Sequence, residues 1–119
     1  MAKVMIADES PSVRYLISVL VEQAGHQVVM EAGHGLDILE WYDQIRPDLL
    51  IVDLHMPIVG GVPLIRAIVN DRPEAKLLVC TGMTEELPRL AQFDRNIPVV
   101  KKPFDNDSFV ESLSSALRQ

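Results

Sequence analysis

The chain holds a single cysteine, Cys80, so an internal disulfide is excluded. That usage fits a reducing compartment, and a cytoplasmic location is expected. No apolar run approaches the roughly 20 residues of a membrane-spanning helix. The opening stretch MAKVMIADES is apolar only until Asp8 and Glu9 break it, so it does not read as a signal peptide. Basic residues are in the minority, 11 against 17 acidic ones. The net charge of −6 leaves no electrostatic footprint for nucleic acid. An acidic surface suits cations or basic protein partners instead. Glycine-rich phosphate or dinucleotide loops are missing, and Gly33-His34-Gly35 reads as a turn. His26 and His34 show no metal-ligand spacing with each other or with Cys80. There is no internal repeat, low-complexity tract or linker. One domain over residues 1–119 is expected, long enough to bury about two-thirds of its unfolded surface without a structural metal.

What the chain does contain is an alternation of short apolar runs with longer amphipathic stretches. Val4-Met5-Ile6-Ala7 forms the first run. Ser10 then offers an N-cap and Pro11 a first helical residue. Val13, Leu16, Ile17, Leu20, Val21 and Ala24 follow at helical spacing, with Gly25 as the stop. Val28-Val29-Met30 is a second strand, and Leu36, Leu39, Tyr42 and Ile45 mark a second helix ending before Pro47. Trp41 and Tyr42 are expected to pack that helix. Leu49-Leu50-Ile51-Val52 is apolar at every position, as a strand buried on both faces must be. Val62, Ile65 and Val69 mark a third helix. Strands over 76–81 and 97–101 follow. Phe109, Val110, Leu113 and Leu117 mark a last helix, capped by Asp105 or Asp107. Pro88 in Thr84–Ala91 denies that stretch a regular helix beyond its first turn, so a short or irregular element is expected there.

Five strand–helix alternations with short connections predict an α/β fold, one parallel sheet covered by helices on both faces. In such doubly wound sheets the functional cleft lies beyond the carboxyl ends of the strands. Asp8-Glu9 ends the first strand, Asp53 the third, Thr81 the fourth and Lys101-Lys102-Pro103 the fifth. An acid, a hydroxyl or a lysine ending one strand is ordinarily a cap or a solvated loop residue. Their joint placement at four strand ends of one sheet is harder to account for that way. Three close carboxylates repel, which favours a cation among them. An all-oxygen donor set suits a hard divalent ion such as Mg²⁺. An aspartate is a competent nucleophile for phosphoryl transfer, which asks a protein mainly for positioning and charge neutralisation.

These motifs, Asp8-Glu9, Asp53-Leu54-His55-Met56-Pro57 with Gly61, Thr81-Gly82 and Lys102-Pro103-Phe104, resemble a receiver domain of the two-component response regulators over the whole chain. The resemblance implies a five-stranded (βα)5 flavodoxin-like sheet of order 2-1-3-4-5. It implies that Asp53 accepts a phosphoryl group from a phosphohistidine on a sensor histidine kinase or a histidine phosphotransfer protein. Mg²⁺ would be held by Asp8, Glu9, Asp53 and the backbone carbonyl of His55, with Glu9 direct and Asp8 through water. Thr81 and Lys102 would contact the phosphoryl oxygens. Strand alternation points the neighbouring Lys101 the other way. His55 and Met83 match the two variable positions flanking the site. On the first helix Ser12, Tyr15 and Val19, with Phe104, are expected to rim the partner's dock.

Val99 stands where the family often has a switching aromatic, and with the irregular stretch around Pro88 this puts the usual output face in question. Two other classes fit the residues less well. A haloacid-dehalogenase-like phosphatase needs a second aspartate two positions after the nucleophile, where this chain has His55. A phosphorylation-independent interaction domain would not need the intact set Asp8, Glu9, Asp53, Thr81 and Lys102. A stand-alone receiver, a relay intermediate and a piece of a larger regulator all fit the sequence.

Overall fold

Alternating side chains along each strand divide the core in two. The computed structural model describes all 119 residues. Its elements in chain order are β1 (Lys3–Ala7), α1 (Pro11–Gln23), β2 (Gln27–Ala32), α2 (Gly35–Ile45), β3 (Leu49–Val52), α3 (Gly61–Asp71), β4 (Leu77–Thr81), a 3₁₀ segment (Thr84–Gln92), β5 (Val99–Lys101) and α4 (Asn106–Leu117). Every strand pair is parallel and the order is β2-β1-β3-β4-β5. Met5, Ala7, Leu50, Val52, Leu77 and Val79 face α2 and α3. Val4, Ile6, Leu49, Ile51, Leu78, Cys80 and Val100 face α1 and α4. The period of two in a strand thus feeds both layers of the doubly wound fold, and both faces must be apolar.

Helix ends follow local chemistry. Ser10 caps α1 through a Val13 N–H bond to its Oγ, with Pro11 at the first position. Asp105, not Asp107, caps α4, accepting the Ser108 N–H at 2.8 Å. Gly25, at φ +92°, turns the chain from α1 into β2 in a region that suits glycine. Pro88 lies inside the segment 84–92, which is 3₁₀ along its whole length and has no fully buried residue. An irregular element here was the expectation.

Two helical stripes sit differently from the sequence reading. In α1, Ile17, Leu20 and Val21 are buried, whereas Leu16 is 40% exposed and Ala24 is exposed. In α2, Ile38 and Tyr42 carry the buried face, and Leu36 and Leu39 are 50% and 37% exposed. Trp41, expected to pack α2, is 42% exposed. Apolar residues at compatible spacing define more than one helical face, and contact with the sheet selects among them. No helix is long and apolar enough to cross a membrane.

Candidate functional site

Strand register brings the first two acids together. Ala7 of β1 pairs with Val52 of β3, so Asp8 and Asp53 are the next residues on adjacent strands. The Asp53 N–H donates to the Ala7 carbonyl at 2.8 Å. Both carboxylates are buried, with Asp8 1% and Asp53 5% exposed. Between them stands the Lys102 ammonium, 2.5 Å from Asp8 Oδ2 and 3.1 Å from Asp53 Oδ2. It arrives from the end of β5, across 94 and 49 residues of chain. Lys101 is exposed, as strand alternation requires. The Lys102–Pro103 peptide bond is cis. Burial alone would lower the Lys102 pKa, but hydrogen bonds and opposite charge from Asp8, then from Asp53, outweigh it and raise the pKa above the ordinary lysine value.

Backbone groups hold the remaining carboxylate oxygens. The Ser10 N–H donates to Asp8 Oδ1 at 2.9 Å, and the His55 N–H donates to Asp53 Oδ1 at 3.1 Å. Thr81 is fully buried, and its Oγ1 accepts the Met83 N–H at 3.0 Å. That bond leaves the hydroxyl proton free to donate elsewhere.

Glu9 departs from the expected convergence. Its carboxylate is half exposed and turned to the His55 imidazole, Oε1 to Nε2 at 3.5 Å. The acids therefore do not stand as a ready-made three-ligand metal cage. The donor set still fits a hard divalent ion. Asp8 and Asp53 share one ammonium, so two buried negative charges face one positive charge. A rotation of the exposed Glu9 side chain would add a third oxygen ligand. The His55 imidazole lies at the rim, 60% exposed.

The glycine in the motif has a steric role. A methyl on Gly61 would overlap the Asp53 carbonyl oxygen and Leu54 Cα, so only glycine lets α3 start against the end of β3. Sequence reading missed Arg14, whose Nη1 donates to the Asp8 carbonyl at 2.6 Å. Its place in the first turns of α1 was the only available signal. Cys80 lies on β4 below the site. Burial, opposed by the Lys102 charge and reinforced by those of Asp8 and Asp53, pushes its thiol up to about 12, which disfavours the reactive thiolate.

One groove adjoins the site and a larger cavity lies apart from it. A groove of about 320 Å³ runs between α1 and the β5–α4 loop, lined by Val13, Leu16, Lys102, Pro103 and Phe104. Phe104 is where the dock was expected, but Ser12, Tyr15 and Val19 do not line this groove. Leu16, turned outward from the core, does. A larger cavity of about 620 Å³ opens between the 3₁₀ segment, β5 and α4 and touches none of Asp8, Glu9 and Asp53. Val99 forms part of its wall in place of an aromatic.

Comparison with known proteins agrees with this architecture. The family model described as "Response regulator receiver domain" matches residues 4–114. The chemotaxis protein CheY of Listeria monocytogenes serovar 1/2a is 29% identical, over 99% of this chain and 100% of its own length. The structure of the REC domain of AraT, a response regulator from Geobacillus stearothermophilus, superposes with a TM-score of 0.85 at 28% identity, covering 98% of this chain and 93% of that one. The isolated REC domain of RcsB from Salmonella enterica serovar Typhimurium, solved with the phosphomimetic BeF3⁻, gives 0.87 at 25% identity, covering 98% and 88%. With family match, full-length relatives and sheet order all in agreement, the chain belongs to the response regulator receiver domain family.

Proposed function

We propose that Asp53 is the phosphoacceptor of this receiver and that Asp8, Glu9, Asp53 and the His55 carbonyl hold Mg²⁺ beside it. The observation that carries this reading is the pair of buried carboxylates sharing the Lys102 ammonium at the carboxyl end of the sheet. Bound there, the ion would neutralise charge on the phosphoryl oxygens. A carboxylate oxygen of Asp53 attacks the phosphorus of a phosphohistidine on a histidine kinase or phosphotransfer protein. The P–N bond breaks and its electron pair stays on the departing imidazole. Lys102, already within reach of Asp53, exchanges a carboxylate contact for a phosphoryl oxygen. Thr81 donates its free hydroxyl proton to another. We place the exchange in the cytoplasm, the reducing compartment that the single cysteine fits.

The consequence is a shift between two populations, since the phosphoryl group interacts differently with each. Thr81 is bonded to Met83, immediately before the 3₁₀ segment. Movement of Thr81 therefore reaches residues 84–92 first, with no aromatic at Val99 to carry it. The phosphodonor docks on the α1 face, where Leu16 and Phe104 line the apolar groove and Ser12, Tyr15 and Val19 lie on the adjoining helix surface.

Labelling by a small phosphodonor, phosphoramidate, tests the acceptor. One phosphoryl group per chain is expected with Mg²⁺ present, and none after chelation or in Asp53→Asn. Labelling that persists in Asp53→Asn overturns the assignment. For the dock, Leu16→Glu is expected to slow transfer from the partner phosphohistidine without slowing labelling by phosphoramidate, and equal slowing of both overturns that placement.

A further inference from the structure

Arg14 is the one cation besides Lys102 that touches the acidic turn. Its side chain is 20% exposed and reaches three elements at once. Nη1 donates to the Asp8 carbonyl at 2.6 Å, and Nε lies 3.7 Å from Glu31 Oε1 on β2. The loop after β2 completes the seat: a Cβ built on Gly33 would lie 3.2 Å from Arg14 Nη1.

The bonded carbonyl belongs to the peptide that links Asp8 to Glu9. A peptide unit is planar, so holding its oxygen holds the whole unit. That unit sets the direction from which Glu9 leaves the turn and the orientation of Asp8 above β1. The Asp8 carboxylate is fixed separately, by Ser10 and Lys102. The Asp8 N–H is fixed by the Ala32 carbonyl at 3.0 Å. Without Arg14 the peptide plane between the acids has no side-chain restraint.

We infer that Arg14 is a positioning residue that presets the Asp8–Glu9 peptide, so that both acids can close on a divalent cation. The inference rests on the metal-site reading above. It assigns Arg14 no contact with the ion or the phosphoryl group. Loss of an outer restraint on a metal site typically costs about ten- to a hundred-fold in affinity. Because the Asp8 carboxylate keeps its own bonds, the lower end, about tenfold, is expected.

Mg²⁺ titration calorimetry on the intact chain separates this from a purely structural role. Arg14→Met retains the apolar stem and removes the donors. Glu31→Gln removes only the ion-pair partner. Gly33→Ala displaces the guanidinium by a few tenths of an ångström and alters no charge. Mg²⁺ affinity is expected to fall about tenfold in Arg14→Met and measurably in Gly33→Ala, and to stay within twofold in Glu31→Gln. In Arg14→Met, phosphoramidate labelling should need more Mg²⁺ but reach the wild-type rate at saturation. If the wild type binds Mg²⁺ and Arg14→Met binds it equally, with only its unfolding midpoint lowered, the positioning role is overturned and the site reading stands. A wild type that takes up no Mg²⁺ overturns both. Should Arg14→Met fail to fold, Gly33→Ala decides, and unchanged affinity there overturns the proposal.

Discussion

Replacing Lys102 by methionine keeps the apolar stem and deletes the one charge that offsets Asp8 and Asp53. At 2.5 and 3.1 Å, and with an effective dielectric constant of about 20, each contact has a gross Coulomb energy of about 5–7 kcal/mol. Desolvation of the three charges offsets most of that sum. The variant is left with two buried carboxylates and no counter-charge, and breaking such an arrangement typically costs about 3–5 kcal/mol. Lys102 is itself 19% exposed, which screens part of the interaction, so the lower end, about 3 kcal/mol, is expected. Urea unfolding in the absence of Mg²⁺ measures it. The pH dependence supplies the sharper check. In Lys102→Met the contribution of the lysine is absent, so the deficit against wild type should stay constant from pH 7 to pH 9 and shrink at higher pH. In the wild type the raised Lys102 pKa sets that range. Its contribution is intact below the unfolded lysine value of about 10.4 and is lost only as pH climbs through the folded value. A loss under about 1 kcal/mol, or a deficit that already disappears between pH 7 and pH 9, would refute the reasoning.

Three further outcomes are expected. Ser10→Ala removes the acceptor for the Val13 N–H and should lower stability by about 1 kcal/mol, read by thermal unfolding, whereas Ser10→Gly should cost only a few tenths. Gly61→Ala forces a methyl onto the Asp53 carbonyl, so it should lower the unfolding midpoint and shift the Asp53 and Leu54 amide resonances, and a stable variant with an unshifted spectrum would contradict the packing. Cys80, with its thiol pushed up to about 12 and its side chain buried, should resist a disulfide reagent at pH 8 in the folded chain and react promptly in urea.

Local signals carried much of this molecule. A run such as Leu49–Val52 between turn residues reads as a strand covered twice, and Ser10-Pro11 ahead of apolar residues at helical spacing reads as a helix start. Such signals identified the strand ends, and with them Asp8, Asp53, Thr81 and Lys102. The motif resemblance supplied the sheet order, which periodicity alone leaves open. Pro88 likewise announced an irregular segment after β4, because a proline lacks the N–H that a helix interior requires.

Other features depended on contacts between distant segments. Leu16, Leu36 and Leu39 have helical spacing but face outward, because the angle at which a helix meets its sheet is set by the layer beneath it. Glu9 follows Asp8 in the chain, yet its carboxylate turns to His55, a residue delivered by a different loop. Arg14 reaches the Asp8 carbonyl only because Gly33, on the loop after β2, leaves room. Sequence by itself determined which residues end each strand, since that follows from backbone and hydrophobic periodicity along neighbouring positions. Tertiary structure alone decided which of those side chains meet, since that follows from crossovers that bring Lys102 across 94 residues of chain to Asp8.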